Sequence, residues 1–221
     1  MKIKIDGKRL TPCSSVKYLG VYIDQHLNWN VHLSELKPKL SRAVGMLSKI
    51  RHYVNKETLR MVYFGIFSSL LTYGIQIWGQ HNVTTKKLQV LQNKAIRIMN
   101  FQPPRTSATP LFKVSNILKV NDIVDLQNFI FIYDNLKGLL PKSLLSNLQH
   151  VEHTHDTRLL SYHQLSRPRT KTVTYGSKGI KNRAIDIWNS INRSHHAEIR
   201  FLDKSRNTCK SFVNKLLLSK Y

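Results

Sequence analysis

The chain has 221 residues, of which 41% are hydrophobic, and it carries 35 lysines and arginines against 12 acidic residues, a formal charge of +23. This hydrophobic content is enough for a buried core and argues against a wholly disordered chain. The charge favours a polyanionic partner, of which nucleic acid is the commonest; a merely basic surface and an acidic membrane are the alternatives. The two cysteines, Cys13 and Cys209, lie too far apart in sequence for a disulfide framework or a zinc knuckle.

The sequence contains no recognisable targeting or membrane segment. The opening stretch MKIKIDGKRL has no apolar core, so we expect no secretory signal and an intracellular location, nuclear or cytoplasmic. The most apolar run, Tyr63 to Trp78, includes serine, threonine and glutamine, and it is shorter than the roughly 20 apolar residues that a membrane span needs. We therefore expect no membrane insertion and interpret this run as a buried helix.

Residues 1–30 predict a short β lead. Lys2 to Ile5 alternates polar and apolar side chains, Asp6-Gly7 is typical of a two-residue hairpin turn, and Lys8 to Leu10 is the predicted return strand. Val16 to Ile23 is rich in β-branched and aromatic residues, which predicts a third strand.

Residues 31–102 predict a helical region. His32 to Tyr53 spaces its apolar residues by three and four, and Pro38 within it predicts either a late start or a kink. Lys56 to Trp78 is apolar nearly all round, which predicts a central helix. A third helix is predicted from Thr84 or Thr85 to Met99.

The proline pair Pro103-Pro104 marks the predicted boundary with a helical C-terminal region, residues 103–221. The helices predicted beyond it span Leu111–Leu118, Asn121–Lys137, Pro141–Leu148, Lys178–Ile191 and Ser205–Leu218. Residues 149–177 break the helical pattern and predict a basic loop. The predicted fold class is therefore mainly α, with an N-terminal antiparallel β-hairpin and strand lead, a helical bundle and a helical tail.

Groups that could carry catalysis are sparse. Polymerases and nucleases that use two metal ions need clustered carboxylates, and no two acidic residues are adjacent in this sequence. Asp122 and Asp125, one helical turn apart, are typical of charge at a helix N-terminus. We therefore expect no catalytic residue, no metal site and no cofactor in this chain. One cluster leaves structural zinc open as an alternative to a polar loop: His150, His153, His155 and Asp156.

Two sets of cations are candidate contacts for nucleic-acid phosphates. Arg167, Arg169 and Lys171 alternate along a segment that Pro168 keeps out of a helix, so they would lie on one side of it. The second set lies mostly off the apolar stripe of the first predicted helix and comprises Lys39, Arg42, Lys49, Arg51 and His52. Of these, we select Arg42, Lys49 and Arg51 as candidate contacts. A solvated basic surface is the alternative interpretation of both sets.

A series of short motifs runs through the chain in order. They are Val16-Lys17-Tyr18-Leu19-Gly20-Val21-Tyr22-Ile23-Asp24, Leu27-Asn28-Trp29 with His32, Gly45-x-Leu47, Lys49-Ile50-Arg51, Tyr73-Gly74, Trp78-Gly79, Leu91-Gln92-Asn93-Lys94-Ala95, Thr157-Arg158, Pro168-Arg169-Thr170, and Gly179 with Ala184 and Trp188-Asn189-Ser190-Ile191. The series covers nearly the whole chain and resembles the primer grip, thumb and tail of reverse transcriptases, which are RNA-directed DNA polymerases, from non-LTR (LINE-type) retrotransposons of the jockey and CR1 sort.

The resemblance implies a role for each region. Lys17, Tyr18, Leu19 and Gly20 match the primer grip, and residues 31–102 match the thumb that cradles the primer-template duplex. The remaining residues match the tail that follows the thumb. The implied partners are RNA, DNA or an RNA–DNA hybrid, and Mg²⁺ is implied for the parent polymerase.

The catalytic part of such a polymerase is not found in this sequence. The Tyr-x-Asp-Asp metal site, the fingers and most of the palm are missing, so we expect a fragment that binds template-primer and does not polymerise without the upstream fingers and palm of the same polyprotein. One alternative is a retroelement relic without a stable fold, in which Val16, Leu19, Val21 and Ile23 would be partly uncovered. The other is a domesticated RNA- or DNA-binding module without enzymatic activity.

Overall fold

The computed structural model describes most of the chain, namely residues 4–9, 11–80, 82–141, 148, 164–173, 176, 179–195 and 200–221. Over these residues the fold is mainly helical with antiparallel hairpins at the N-terminal end, which confirms the predicted fold class. Most of the predicted helix Pro141–Leu148 and much of the basic loop at 149–177 lie outside the described residues.

Two antiparallel hairpins come first along the chain. β1 (Lys4–Ile5) pairs with β2 (Lys8–Arg9), and β3 (Ser15–Tyr18) pairs with β4 (Val21–Asp24). The predicted turn at Asp6-Gly7 is confirmed, with φ angles of 49° and 74°. Positive φ at both central residues is what a type I′ hairpin turn requires.

The prediction of one continuous strand from Val16 to Ile23 is wrong. The backbone reverses at Leu19 and Gly20, whose φ angles are 45° and 82°, so the same residues form the two arms of the β3–β4 hairpin. Leucine rarely adopts a positive φ, and for that reason the sequence pattern does not mark a turn at this position.

The first long helix, α1 (Asn30–Ile50), begins before its proline. The alternative of a late start is therefore wrong, and Pro38 lies inside the helix. A proline there cannot donate a hydrogen bond to the carbonyl of Ser34. Both residues are exposed, so water can satisfy that carbonyl.

The predicted continuous helix from Lys56 to Trp78 is interrupted. In chain order its parts are α2 (Lys56–Val62), a π-helical turn (Tyr63–Ser68), α3 (Ser69–Thr72) and α4 (Ile75–Trp78). Tyr73 is extended, with ψ of 116°, and Gly74 is left-handed, with φ of 61°. Glycine adopts that conformation without steric cost, which allows the chain to turn here.

The later helices follow the predicted order. They are α5 (Asn82–Met99), α6 (Thr109–Val114), α7 (Val120–Leu136), α8 (Ile180–His195), a short 3₁₀ turn (Phe201–Asp203) and α9 (Arg206–Leu218). The helix predicted from Leu111 to Leu118 is shorter than expected because the backbone turns left-handed at Asn116, with φ of 52°.

The buried hydrophobic side chains of the described residues form two clusters. In the first, α1 packs with the π-helical turn and α5 around fully buried residues such as Phe67 and Trp78. In the second, α7 packs with α8 and α9, and the Phe129 ring lies 5.0 Å from those of Trp188 and Phe201. The helix α7 joins the two clusters, because it contributes to both.

The side chain of Tyr221 links the segment after α9 to the start of α7. Its hydroxyl accepts a hydrogen bond from the Lys119 N–H at 2.9 Å and donates one to the Asp122 carboxylate. Burial and this carboxylate together raise the pKa of the phenol. The Lys119 ammonium lies 4.3 Å from the centre of the Tyr221 ring.

We expect Tyr221→Phe to lower the free energy of unfolding by about 1.5 kcal/mol, because the ring stays while two hydrogen bonds are lost. Chemical denaturation monitored by circular dichroism measures this difference. Tyr53→Phe is the matched control, since the Tyr53 side chain is 87% exposed, and it should leave stability unchanged. Equal stability of Tyr221→Phe and the native chain would contradict the assigned role of the hydroxyl.

Candidate nucleic-acid interface

One exposed face of the second half of α1 carries three cations. Lys39, Arg42 and Lys49 are spaced by three and seven residues, which places them on the same side of a helix. All three are exposed, whereas Leu40 and Val44, on the opposite side of the helix, are buried in the first cluster.

A groove of about 670 Å³ runs beside this face, and we call it the α1 groove. Its α1 side consists of Lys39, Arg42, Gly45, Met46 and Lys49, and its other side consists of Ile66 and Leu70. The groove therefore has a cationic rim, an apolar wall from the π-helical turn and α3, and a glycine where a side chain would otherwise project.

A second cavity, of about 300 Å³, continues from the α1 groove toward the β3–β4 hairpin. Lys39 and Leu70 line both cavities, so the two adjoin. Gly20 and Tyr22 of the hairpin and Glu35 of α1 line the far end. The tip of the hairpin and the cationic face of α1 thus border one continuous depression.

His32 also lines the second cavity, but it adds no charge at neutral pH. The residue is 6% exposed, and its ring lies 5.4 Å from that of Trp78. Burial, and to a lesser degree the charge of Lys39, lowers the pKa of the imidazole below its usual value near 6.5. The positive charge beside the cavity therefore comes from Lys39.

The structure places the predicted primer-grip residues at the tip of the β3–β4 hairpin. Tyr18 and Leu19 are 64% and 73% exposed, and the Lys17 ammonium lies 5.6 Å from the centre of the Tyr22 ring. Gly20 faces Tyr73, since a Cβ added to it would lie 3.3 Å from Cε1 of that ring. Gly20 is needed both for the turn and for this contact within the chain.

Arg51 lies apart from the other two predicted cations of the first helix. It follows the last residue of α1 and is partly buried, with its guanidinium 5.8 Å from the centre of the Phe101 ring. It lines neither of the two cavities beside α1. The structure therefore brings Arg42 and Lys49 together, with Lys39 added, and leaves Arg51 outside the groove.

The cations of the basic loop also lie outside the α1 groove. Arg167, Arg169 and Lys171 are all exposed, and none of them lines either cavity. Arg167 forms an ion pair with Asp186 of α8 at 3.5 Å. Burial raises the pKa of the Asp186 carboxyl, and the charge of Arg167 opposes that rise. Arg167 therefore borders α8, and the set constitutes a basic surface separate from the α1 groove.

Within the described part of the chain, no three histidine, cysteine or acidic side chains lie close enough to hold a metal ion. The candidate zinc residues His150, His153, His155 and Asp156 lie outside it. No described helix is both long and apolar enough to cross a membrane.

Sequence reasoning did not select Tyr73 as a site residue, although the motif Tyr73-Gly74 contains it. Its hydroxyl donates a hydrogen bond to the Leu19 carbonyl at 2.5 Å, and its ring lines the second cavity. The two residues are 54 positions apart, so the contact depends on tertiary packing that no local pattern indicates.

Comparison with known proteins identifies relatives among mobile-element polymerases. No family model and no solved structure matches the chain. It is 30% identical over 127 residues to the probable RNA-directed DNA polymerase from transposon BS of Drosophila melanogaster. This match covers 54% of the chain and 14% of that protein. It is 24% identical over 150 residues to the RNA-directed DNA polymerase from mobile element jockey of the same species, covering 66% of the chain and 16% of that protein.

A third relative is the retrovirus-related Pol polyprotein from type-1 retrotransposable element R1 of Bradysia coprophila, 25% identical over 79 residues, which are 34% of the chain and 8% of that protein. In each case the matched segment is a small part of a much longer polypeptide. The resemblance carried by the motifs is thereby confirmed: the chain is related in sequence to the RNA-directed DNA polymerases of non-LTR retrotransposons.

Proposed function

We propose that this chain is a nucleic-acid-binding part of a non-LTR retrotransposon reverse transcriptase and that it holds the template-primer duplex, an RNA–DNA hybrid, in the α1 groove. The observation that carries the proposal is the row of cations Lys39, Arg42 and Lys49 along one continuous groove. A groove of one charge sign concentrates a polyanion and binds its phosphates.

The charges of these three residues are available to a ligand. None of them forms an ion pair with an acidic side chain that the structure describes. From Lys39 to Lys49 the helix rises about 15 Å, a length that extends over several phosphates of one strand. Phosphate contacts of this kind fix the position of a duplex and carry little sequence preference.

The hairpin would meet the nucleic acid at the end of the groove nearest Lys39. In this proposal Lys17 contacts a phosphate, while Tyr18 and Leu19 offer an exposed aromatic and apolar surface to a terminal base. Gly20 keeps the tip narrow. Arg51 and the separate set Arg167, Arg169 and Lys171 would extend contact beyond the groove.

Nucleotide addition is no part of the role proposed for this chain. The described residues offer no ligand set for the Mg²⁺ that the family resemblance implies for the parent polymerase. We place the polymerising chemistry in the fingers and palm of the same polyprotein, as partners of this segment.

The proposal is tested by replacing Lys39, Arg42 and Lys49 together with alanine. Binding of a fluorescently labelled RNA–DNA hybrid is followed by anisotropy over a range of salt concentrations. Each lost phosphate contact should reduce the magnitude of the slope of log K against log salt by about 0.9. The slope of the triple variant should therefore be smaller in magnitude by about 2.7 than that of the native chain. Its affinity near physiological salt should fall at least tenfold.

The matched control removes the same charge elsewhere. Lys86, Lys87 and Lys94 are exposed on α5 and line neither cavity of α1. Alanine at these three positions should leave the salt slope close to that of the native chain. Equal losses in the two triple variants would mean that binding is spread over the basic surface, and the groove assignment would be wrong.

The relic alternative makes a different prediction about the hairpin and the fold. Val16 and Leu19 are 51% and 73% exposed, which is the uncovering that this alternative expects, but Val21 is 7% exposed and Ile23 packs against the first cluster. A single cooperative unfolding transition of the purified chain would exclude the relic. Insolubility or a gradual loss of structure would favour it over the binding role.

A further inference from the structure

The helix break at Tyr73 and Gly74 is the point where the helical body contacts the tip of the β3–β4 hairpin. The Tyr73 hydroxyl donates to the Leu19 carbonyl at 2.5 Å. The ring of Tyr73 also lies against Gly20, where a Cβ would approach Cε1 to 3.3 Å. A hydrogen bond and a ring contact therefore both reach the two turn residues.

Gly74 adds a contact to the second arm of the hairpin. A Cβ added to Gly74 would lie 3.2 Å from Cγ2 of Val21, the first residue of β4. On the inner side, the Trp78 indole N–H donates to the Tyr73 carbonyl at 2.9 Å. The break is thus held by Trp78 from within the core, and it presents Tyr73 and Gly74 to the hairpin.

The tip of the hairpin has few other supports. β4 packs on α1, but β3 is exposed from Val16 onward, and Tyr18 and Leu19 at the tip are 64% and 73% exposed. A two-stranded hairpin is only marginally stable by itself, so its orientation depends on what it packs against. The contacts of Tyr73 with Leu19 and Gly20 are therefore expected to fix the position of the hairpin tip.

We propose that Tyr73 is a positioning residue, which fixes the hairpin tip over the end of the α1 groove so that Lys17 and Tyr18 meet the nucleic acid held there. This inference rests on the proposed function. It adds that affinity depends on a hydroxyl whose hydrogen bond is made within the chain and not to the ligand.

The test is Tyr73→Phe, which keeps the ring and removes only the hydrogen bond to Leu19. Loss of one hydrogen bond should weaken binding of the labelled RNA–DNA hybrid about threefold to tenfold. In a chain that already carries Lys17→Ala and Tyr18→Ala, the same change should have no further effect, because the tip no longer contributes contacts. Tyr53→Phe, at an exposed position away from both cavities, should leave affinity unchanged.

A second readout needs no nucleic acid. Amide hydrogen exchange across residues 15–24 should become faster in Tyr73→Phe, while exchange in the middle of α1 should stay as in the native chain. A merely structural role of the hydroxyl would alter exchange in both regions, or thermal stability as a whole.

The outcomes separate this inference from the proposed function. If Tyr73→Phe weakens binding equally with and without the Lys17 and Tyr18 changes, Tyr73 touches the nucleic acid directly and the positioning role is wrong. Unchanged exchange in the hairpin, with hybrid binding intact, also overturns the positioning role alone. If the native chain fails to bind the hybrid at all, the proposed function is wrong, whatever the exchange measurement gives.

Discussion

Replacing Asp24 with alanine is expected to lower the free energy of unfolding by about 3 kcal/mol. Asp24 is 7% exposed, and its carboxylate accepts three backbone hydrogen bonds in the loop between β4 and α1. The donors are the N–H groups of His26 and Asn28, at 3.1 Å each, and of Trp29, at 2.8 Å. Alanine would leave all three without this acceptor, and the Trp29 N–H is buried.

Asp24→Asn is the matched variant, because it keeps one carbonyl oxygen of the same shape. It should lower the free energy of unfolding by about half as much as Asp24→Ala does, since some of the three hydrogen bonds survive. Urea denaturation of both variants, fitted to a two-state transition, gives the comparison. A loss below about 0.5 kcal/mol for Asp24→Ala would mean that the loop does not depend on this carboxylate.

Gly79→Ala is expected to be the other strongly destabilising change, by about 3 kcal/mol, because the added methyl has no space. A Cβ at this position would lie 2.7 Å from Cγ2 of Val124 on α7 and 2.4 Å from the carbonyl oxygen of Ile75. Val124 is fully buried, and the carbonyl belongs to the backbone, so neither neighbour can yield easily. The close approach of α4 to α7 therefore requires glycine at residue 79.

Gly45→Ala provides the control, because it makes the same chemical change where nothing lies within 4 Å of the new Cβ. Residue 45 is in the middle of α1, where alanine is a better helix former than glycine. The free energy of unfolding of this variant should therefore rise by about 0.5–1 kcal/mol. Thermal and chemical denaturation of the two variants measure the contrast. Similar stability of both would contradict the packing of α4 on α7.

The sequence predicted the long amphipathic helices well and the central one poorly. In α1 the apolar side chains recur at three and four residues, so the pattern has one clear phase. From Lys56 to Trp78 the sequence is apolar nearly all round, and such a pattern does not reveal the break at Tyr73-Gly74. The same is true of Val16 to Ile23, where apolar residues on both sides of Leu19 conceal the turn.

Helical periodicity likewise indicated part of the candidate site. It placed Arg42 and Lys49 on a common exposed face of α1, and the structure brings them together. The groove itself depends on the π-helical turn packing against α1, and the link between Tyr73 and Leu19 spans 54 residues. The positions of Arg51 and Arg167 could not be predicted from the distribution of cations in the sequence. Arg51 lies against Phe101, and Arg167 pairs with Asp186.

The most direct test of the proposed binding role is the affinity of the native chain for an RNA–DNA hybrid at low and at higher salt. With at least four phosphate contacts, from Lys17, Lys39, Arg42 and Lys49, affinity should fall by at least about 100-fold between about 50 mM and about 200 mM salt. A steep fall of that size is the predicted result. An affinity that stays the same over this interval would contradict binding through phosphates, and with it the function proposed for the α1 groove.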